Sequence, residues 1–135
     1  MIELQVGVKA LLQNKDGKFL LLYRSPVKYP DIKGDRWDIV GGRIVPGTPL
    51  LENLKREIKE EIGLELVDTP RLVAAQDILR VSGKHVVRLT YVGLIDGEPV
   101  LGDEHDEYRW FSREELNTLA SLDLYFKELL GREII

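Results

Sequence analysis

The sequence contains no cysteine among its 135 residues. A disulfide framework, a thiol nucleophile and any zinc or iron–sulfur site built on thiolates are therefore excluded. Long apolar runs are missing as well, since no stretch approaches the roughly 18 residues of a membrane-spanning helix. The N-terminal residues show no small-residue cleavage site of a secretory signal. We therefore expect a cytoplasmic location and no membrane partner.

A strong charge imbalance is also absent, because 19 basic residues face 23 acidic ones for a net charge of −4. A protein that binds the phosphate backbone of nucleic acid normally presents a basic face, so we expect no nucleic-acid partner. The 44% of hydrophobic residues is sufficient for a globular core. At about 100–200 residues per domain, the length predicts a single domain over residues 1–135.

Turn residues divide the chain into short strands and helices. The segment Asn14 to Gly17 predicts a hairpin turn, whereas Pro26, Pro30 and Gly34 favour a surface loop over residues 24–36. The predicted strands cover residues 4–12, 18–23, 37–40, 71–80, 86–95 and 108–111. The predicted helices cover residues 48–63, a segment opened by the capping box of Ser112 and Glu115, and residues 122–130 ended by Gly131. Strands that flank a central helix with clear start and stop signals predict a mixed α/β fold.

The central helix carries an acidic edge. Thr48 is the predicted N-cap, Pro49 fits the first helical position, and Gly63 can adopt the left-handed turn that ends the helix. At about 100° per residue, the apolar side chains form a core-facing stripe. Beside that stripe, three carboxylates share one edge of the helix: Glu57, Glu60 and Glu61.

Two interpretations of this acidic edge are open. Carboxylates at i, i+3 and i+4 repel one another, but acidic runs on helices are commonly solvated, and nearby Lys55, Arg56 and Lys59 partly neutralise this one. The alternative is that a hard divalent cation collects the oxygens, as Mg²⁺ does when it also holds substrate phosphates.

Two glycines upstream of the helix favour the metal interpretation. Gly41 and Gly42 follow a short apolar strand, where glycine lets the backbone approach a ligand closely and leaves carbonyls free. The segment from Gly41 onward reads GGRIVPGTPLLENLKREIKEEIGL and resembles the Nudix box. Thr48 stands where the first glutamate of that box is expected. The other constrained positions match: Gly42, Arg56, Glu57, Ile58, Glu60, Glu61, Gly63 and Leu64. The flanking segments WDIVGG and DEHDEYRWFS also resemble the family.

The resemblance implies a Nudix-type α/β/α sandwich, with a mixed β-sheet between helices. It implies Mg²⁺ or Mn²⁺ as the cofactor, held by the Gly41 carbonyl and by the carboxylates of Glu57, Glu60, Glu61 and Glu104. The implied reaction is hydrolysis of a pyrophosphate linkage. The implied catalytic residues are Glu60, Glu61, Glu104, His105 and Arg56, of which Glu61, Glu104 and His105 are candidates for the base.

The threonine in the box has a predicted consequence. In the family, the missing glutamate mainly positions the box arginine. Glu52 lies one turn before Arg56 and is the predicted substitute, in a pair worth about 0.3–0.5 kcal/mol on a surface. We therefore expect weaker support for the site and retained chemistry.

Candidates for substrate binding lie at the end of the first hairpin and in the glycine pair: Tyr23, Arg24, Lys28, Tyr29 and Gly42. His105 stands in an acidic loop, which favours an exposed histidine with a raised pKa over a catalytic base. Three further residues are expected to have structural roles: His85, Trp37 and Trp110.

The segment beyond the box suggests a substrate class. Residues 78–82 contain neither the proline typical of ADP-ribose hydrolases nor the tyrosine typical of dinucleoside polyphosphate hydrolases. The favoured substrate is a (deoxy)nucleoside triphosphate cleaved to monophosphate and pyrophosphate, and a nucleoside-diphosphate sugar or ADP-ribose-type substrate is the alternative. A Nudix-like module that binds nucleotides without hydrolysis is a rival that only Thr48 and Val40 support. The oligomeric state, including a homodimer, stays open.

Overall fold

The computed structural model describes residues 1–32 and 34–135, so Lys33 of the predicted 24–36 loop lies outside the described residues. The strands within this part of the chain are β1 (Glu3–Gln13), β2 (Phe19–Tyr23), β3 (Trp37–Asp38), β4 (Val40–Arg43), β5 (Arg71–Ile78), β6 (Lys84–Leu94) and β7 (Glu107–Phe111). The helices are α1 (Leu50–Ile62), α2 (Arg113–Thr118) and α3 (Leu124–Gly131). None of the helices in the described residues is long and apolar enough to cross a bilayer.

The strands form one mixed sheet in the order β3-β2-β1-β6-β5, to which β4 and β7 add by pairing with β1 and β2. The long strand β1 runs parallel to β6 and antiparallel to β2 and β4. The predicted hairpin turn between β1 and β2 is confirmed, since the Asn14 side chain accepts the backbone N–H groups of Asp16 and Lys18. Because β4 pairs with the middle of β1, Gly41 lies opposite Lys9 within the sheet.

Side chains alternate between the two faces of the sheet, and helices cover both faces. On one face, α1 contributes Leu54, Ile58 and Ile62 to a core with apolar residues of β1, β2, β4 and β6. On the other face, α2 and α3 contribute Leu116, Phe126 and Leu130 to a second core. This arrangement confirms the predicted α/β/α fold.

Two local predictions are wrong. The predicted strand over residues 37–40 is two strands, because β3 pairs with β2 whereas β4 pairs with β1 and continues through both glycines to Arg43. Thr48 is not the N-cap of α1: Pro49 occupies that position, with the extended ψ of 152°, and its ring offers no side-chain acceptor.

The C-terminus of α1 and the ends of α2 and α3 follow the sequence signals more closely. Gly63 adopts the left-handed conformation at φ 68° and donates its N–H to the Lys59 carbonyl. The capping box of Ser112 and Glu115 is confirmed. For α3 the predicted stop at Gly131 is one residue early, because Gly131 belongs to the helix and Arg132 caps it.

Candidate functional site

Glu61 lies where the end of α1 meets strand β4. Its residue is 7% exposed, although glutamate is rarely buried without a partner. One carboxylate oxygen accepts a hydrogen bond from the Gly41 N–H at 2.8 Å. The helix and the glycine strand of the box are therefore joined through this one side chain.

The segment between β6 and β7 brings two further groups to Glu61. Gly102 donates its N–H to the Glu61 carbonyl at 3.0 Å. A Cβ at position 102 would lie 2.4 Å from the Glu60 carbonyl oxygen, so only glycine allows this close packing on the helix end. Beyond it, Glu104 and His105 turn back, and their ligand atoms lie within 4.8 Å of each other and of a Glu61 oxygen.

Burial changes the ionisation of this cluster. Burial raises the pKa of Glu61 to about 7, while the charge of Lys9 opposes that rise. Burial, together with the nearby cations Lys9 and Arg24, lowers the pKa of His105 to about 4. The expectation of an exposed His105 with a raised pKa is therefore wrong, because its side chain is 9% exposed and faces more cationic than anionic influence.

The other two helix carboxylates lie beside the cluster. Glu57 packs against Gly42, where a Cβ would come within 2.8 Å of its carboxylate oxygen, and it accepts a hydrogen bond from Arg56 Nη2 at 3.0 Å. Glu60 is more exposed, with 64% of its side chain accessible. All of these carboxylates border one cavity of about 430 Å³, the helix cavity, lined by Glu57, Glu60, Glu61, Gly102, Asp103, Glu104 and His105.

This donor set fits a hard divalent cation. Five carboxylates line one open cavity, those of Glu57, Glu60, Glu61, Asp103 and Glu104, and they supply the oxygen ligands that Mg²⁺ and Mn²⁺ prefer. Glu61 is a buried carboxylate whose charged form burial disfavours, and a cation would compensate for that cost.

The partner of Arg56 differs from the predicted one. Arg56 Nη1 donates to the amide oxygen of Asn53 at 2.7 Å instead of pairing with Glu52. Asn53 is fully buried, and its amide nitrogen donates to the carbonyls of Thr48 and Pro49. Sequence reasoning missed this residue, although a lone asparagine next to the apolar stripe of α1 was a usable signal.

A second group of charged residues lies on the sheet face near the start of α3. This buried ionic cluster consists of Lys9, Arg24, Asp38, Arg88 and Asp123. Asp38 accepts from Lys9 at 3.0 Å, from Arg88 at 3.2 Å and from Arg24. Arg88 also reaches Asp123 at 3.0 Å. This cluster could not be predicted from the sequence, because its members come from five separate segments.

The cluster fixes the charges of its two carboxylates. Burial acts to raise the pKa of Asp38, but Lys9, Arg88 and Arg24 together hold it well below its usual range. Burial and the neighbouring Asp38 raise the pKa of Asp123. Asp38 is therefore an anion that orients the cations around it.

A cavity of about 280 Å³, the sheet cavity, connects the two groups. Its lining includes Glu61, Glu104 and His105 of the first group, all five residues of the buried ionic cluster, and Tyr125. Glu61, Glu104 and His105 border both cavities, so the helix cavity and the sheet cavity have these three residues as a common wall.

The predicted substrate residues separate into two groups. Arg24, Tyr29 and Gly42 line the sheet cavity. Tyr23 instead packs on Trp37 at a ring distance of 4.9 Å, because its strand directs it to the second core. Lys28 is outside the lining of that cavity and pairs with Asp106 at 2.9 Å. The geometry therefore supports a substrate contact for the first group and not for Tyr23.

Two of the three residues expected to have structural roles, Trp37 and Trp110, are in packed positions, whereas His85 is partly exposed. Trp37 is buried edge-on against Phe111, and Trp110 packs at the border of the first core. His85 pairs with Asp77 across β5 and β6 at 2.7 Å.

Comparison with known sequences gives a consistent result. The model of the NUDIX domain matches residues 3–130. A 97-residue segment is 32% identical to putative 8-oxo-dGTP diphosphatase 2 of Mycobacterium tuberculosis and covers 72% of this chain and 67% of that protein. A 94-residue segment is 31% identical to nucleoside triphosphatase NudI of Enterobacter sp. and covers 62% of this chain and 67% of that protein.

Solved structures resemble the fold over nearly the whole chain. The crystal structure of MutT protein from Methanosarcina mazei Go1 matches with a TM-score of 0.81 at 30% identity. The matched region covers 97% of this chain and 93% of the MutT chain. The solution structure of the E. coli ORF135 protein has a TM-score of 0.76 at 27% identity, with coverages of 96% and 88%.

Proposed function

Because the chain belongs to the Nudix family and is a Nudix hydrolase, we propose that it cleaves a (deoxy)nucleoside triphosphate to the monophosphate and pyrophosphate with Mg²⁺ or Mn²⁺. One observation carries this proposal: the helix carboxylates and the cation-lined sheet cavity share Glu61, Glu104 and His105 as a common wall. A substrate can therefore place its phosphates at the carboxylates and its nucleoside over the sheet.

The metal ligands in this proposal are the carboxylates of Glu57, Glu60, Glu61 and Glu104, with the Gly41 carbonyl as a further oxygen. The chemistry that a bound divalent cation supplies is neutralisation of phosphate oxygens and acidification of a water molecule. The protein's part is to hold the ligands in place. Gly41 fixes Glu61 through its N–H, and Arg56 fixes Glu57.

The candidate bases divide by environment. His105 has a pKa of about 4, so it is neutral at physiological pH and can accept a proton. Burial raises the pKa of Glu61 to about 7, but a cation beside this carboxylate would favour its ionised form. Glu104 is exposed at the shared wall and can accept the proton of an attacking water. We assign Glu104 as the first candidate, with Glu61 and His105 as alternatives.

The choice of a triphosphate rests on charge and on relatives. Lys9, Arg24, Arg43, Arg80 and Arg88 line the sheet cavity together with acidic residues, which suits a polyanion bound through cations. The names of the two relatives specify a deoxynucleoside triphosphate and a nucleoside triphosphate as substrates. A nucleoside-diphosphate sugar or ADP-ribose-type substrate is the alternative, and the cytoplasmic location and a homodimer stay predictions.

A substrate panel tests the proposal. The purified protein is incubated with canonical and 8-oxo nucleoside triphosphates, nucleoside-diphosphate sugars and ADP-ribose, with Mg²⁺, with Mn²⁺ and with chelator, and products are separated by ion exchange. We expect monophosphate and pyrophosphate from at least one triphosphate, and only with metal. Release of a sugar phosphate instead would select the alternative, and binding without turnover of any compound would select the non-hydrolytic module.

Variants of the site carboxylates test the residue roles. Glu61→Gln and Glu104→Gln should each lower kcat by about 10²–10⁴-fold if they serve as ligand or base. Glu52→Gln is the matched control, because Glu52 is an exposed carboxylate on the same helix outside both cavities. Equal rates for Glu61→Gln and Glu52→Gln would contradict the assignment of Glu61.

A further inference from the structure

Lys9 reaches the sheet cavity because its neighbour in the sheet is a glycine. Strand β1 places Lys9 opposite Gly41 on β4 and opposite Thr90 on β6. A Cβ on Gly41 would lie 2.9 Å from Lys9 Cδ and still closer to the backbone of β1. The bare glycine therefore leaves room for the lysine stem to cross β4 towards the cavity, whose lining includes Lys9.

Lys9 lines the sheet cavity together with its salt-bridge partner Asp38. Its Nζ is 3.0 Å from an oxygen of Asp38, in the buried ionic cluster. The same cavity is also lined by Glu61, Glu104 and His105 of the metal site. Lys9 therefore lines one cavity together with both the metal-site carboxylates and the buried ionic cluster.

Charge neutralisation of Asp38 alone does not account for this lysine. Two guanidinium groups, of Arg24 and Arg88, already contact the Asp38 carboxylate. The cluster therefore holds three cations against two carboxylates and keeps one positive charge in excess. An ammonium group has three donors, and a cavity-lining lysine can direct those not used by Asp38 at an anionic ligand.

We propose that Lys9 is a substrate-contacting residue whose ammonium binds an oxygen of the phosphate nearest the nucleoside. Asp38 orients this ammonium, and Gly41 leaves space for the lysine side chain. The assignment rests on the proposed function, because it needs a substrate whose phosphates lie at Glu61 while its nucleoside lies over the ionic cluster. In this role Lys9 neutralises the phosphate that stays with the monophosphate product.

The test compares Lys9→Met and Lys9→Arg with the wild type in turnover and in binding. The probes are the α,β-methylene analogue of the triphosphate that the wild type hydrolyses fastest, the corresponding monophosphate and the corresponding nucleoside, each titrated by calorimetry. Loss of a charge-assisted hydrogen bond should weaken binding of both phosphorylated probes by about tenfold or more. Binding of the nucleoside should change little, and Lys9→Arg should retain affinity within about threefold.

A double variant separates substrate contact from support of Asp38. If Lys9 only compensates Asp38, then Lys9→Met combined with Asp38→Asn should regain the affinity of Asp38→Asn alone. If Lys9 binds phosphate, the double variant should regain thermal stability but keep the affinity loss. Lys18→Met, at an exposed lysine in the β1–β2 turn, is the matched control.

The outcomes distinguish a failure of the Lys9 assignment from a failure of the proposed function on which it rests. Turnover of a triphosphate by the wild type, with unchanged probe affinity in Lys9→Met, would overturn the role of Lys9 and leave the proposed function standing. Equal weakening of the monophosphate and the bare nucleoside would also overturn it, since the lysine would then act on the pocket and not on phosphate. Absence of turnover of every triphosphate by the wild type would overturn the proposed function itself.

Discussion

Asn53 holds Arg56 through a hydrogen bond of 2.7 Å from the guanidinium to its amide oxygen. The same oxygen accepts the N–H of Val45 at 2.8 Å, so one buried side chain ties the loop before α1 to the box arginine. Arg56 in turn donates to Glu57 at 3.0 Å. A series of hydrogen bonds thus runs from Asn53 through Arg56 to Glu57, and Thr48 takes part in it through its backbone carbonyl, which accepts from the Asn53 amide.

Asn53→Ala should therefore lower both stability and activity. Removal of the amide leaves buried backbone groups and the Arg56 guanidinium without their partner, which costs about 1–3 kcal/mol. Urea unfolding followed by circular dichroism measures the loss, and Asn117→Ala, at an exposed position on α2, should change stability by less than about 0.5 kcal/mol. Asn53→Asp keeps the acceptor but loses the donor, so an Asn53→Asp variant with more activity than Asn53→Ala would confirm that the acceptor positions Arg56.

The sequence was sufficient for features with local causes. Gly63 ended α1 as predicted because the left-handed turn depends on that residue alone, and the box carboxylates met at one cavity because helical periodicity fixes their edge. Contacts between segments that are distant along the chain could not be predicted from the sequence. The ionic cluster unites Lys9 with Asp123, and the burial of His105 depends on how the segment before β7 packs on the end of α1.

Two adjacent glycines of β4 should respond differently to alanine. At Gly41 a Cβ would lie 2.0 Å from the Val8 carbonyl oxygen at a φ of 141°, so Gly41→Ala should break the β1–β4 pairing at a cost of about 3–5 kcal/mol. At Gly42 the three atoms nearest to a Cβ would all belong to the flexible end of the Glu57 side chain, the first of them 2.8 Å away. Gly42→Ala should therefore fold normally and lose about 10–100-fold in Mn²⁺ affinity or activity, through displacement of Glu57. Thermal unfolding and metal titration measure the two effects, and similar unfolding temperatures for both variants would contradict this distinction.

Glu61 should make the metal-free protein less stable as pH rises. Its folded pKa of about 7 lies above the ordinary value of 4.5, so the folded state holds the proton more tightly than the unfolded state. The stabilisation is complete below pH 4.5 and is lost as the pH rises to about 7, by about 3 kcal/mol. In chelator, Glu61→Gln should therefore match the wild type at pH 4 and exceed its stability at pH 8.

Metal addition provides the control for this pH effect. A divalent cation favours the ionised carboxylate, so Mg²⁺ should stabilise the wild type at pH 8 and reduce its difference from Glu61→Gln. The Glu52→Gln variant should keep a constant difference from the wild type across the pH range. A Glu61→Gln variant that is less stable than the wild type at pH 8 in chelator would contradict the assignment.

Arg88 should be among the most sensitive positions for stability, because it joins two buried carboxylates. Its side chain is 6% exposed, and it donates to Asp38 at 3.2 Å and to Asp123 at 3.0 Å. Arg88→Met would leave both carboxylates with fewer counter-charges in a buried site, at a cost of about 3–5 kcal/mol. The matched control is Arg132→Met, since Arg132 pairs with Glu128 while 62% exposed, and its loss should cost less than about 0.5 kcal/mol. If the loss comes from buried carboxylates that no longer have Arg88 as a counter-charge, adding Asp123→Asn to Arg88→Met should recover part of the free energy of unfolding measured in urea. A double variant less stable than Arg88→Met would show that the arginine stabilises the fold through packing and not through these charges.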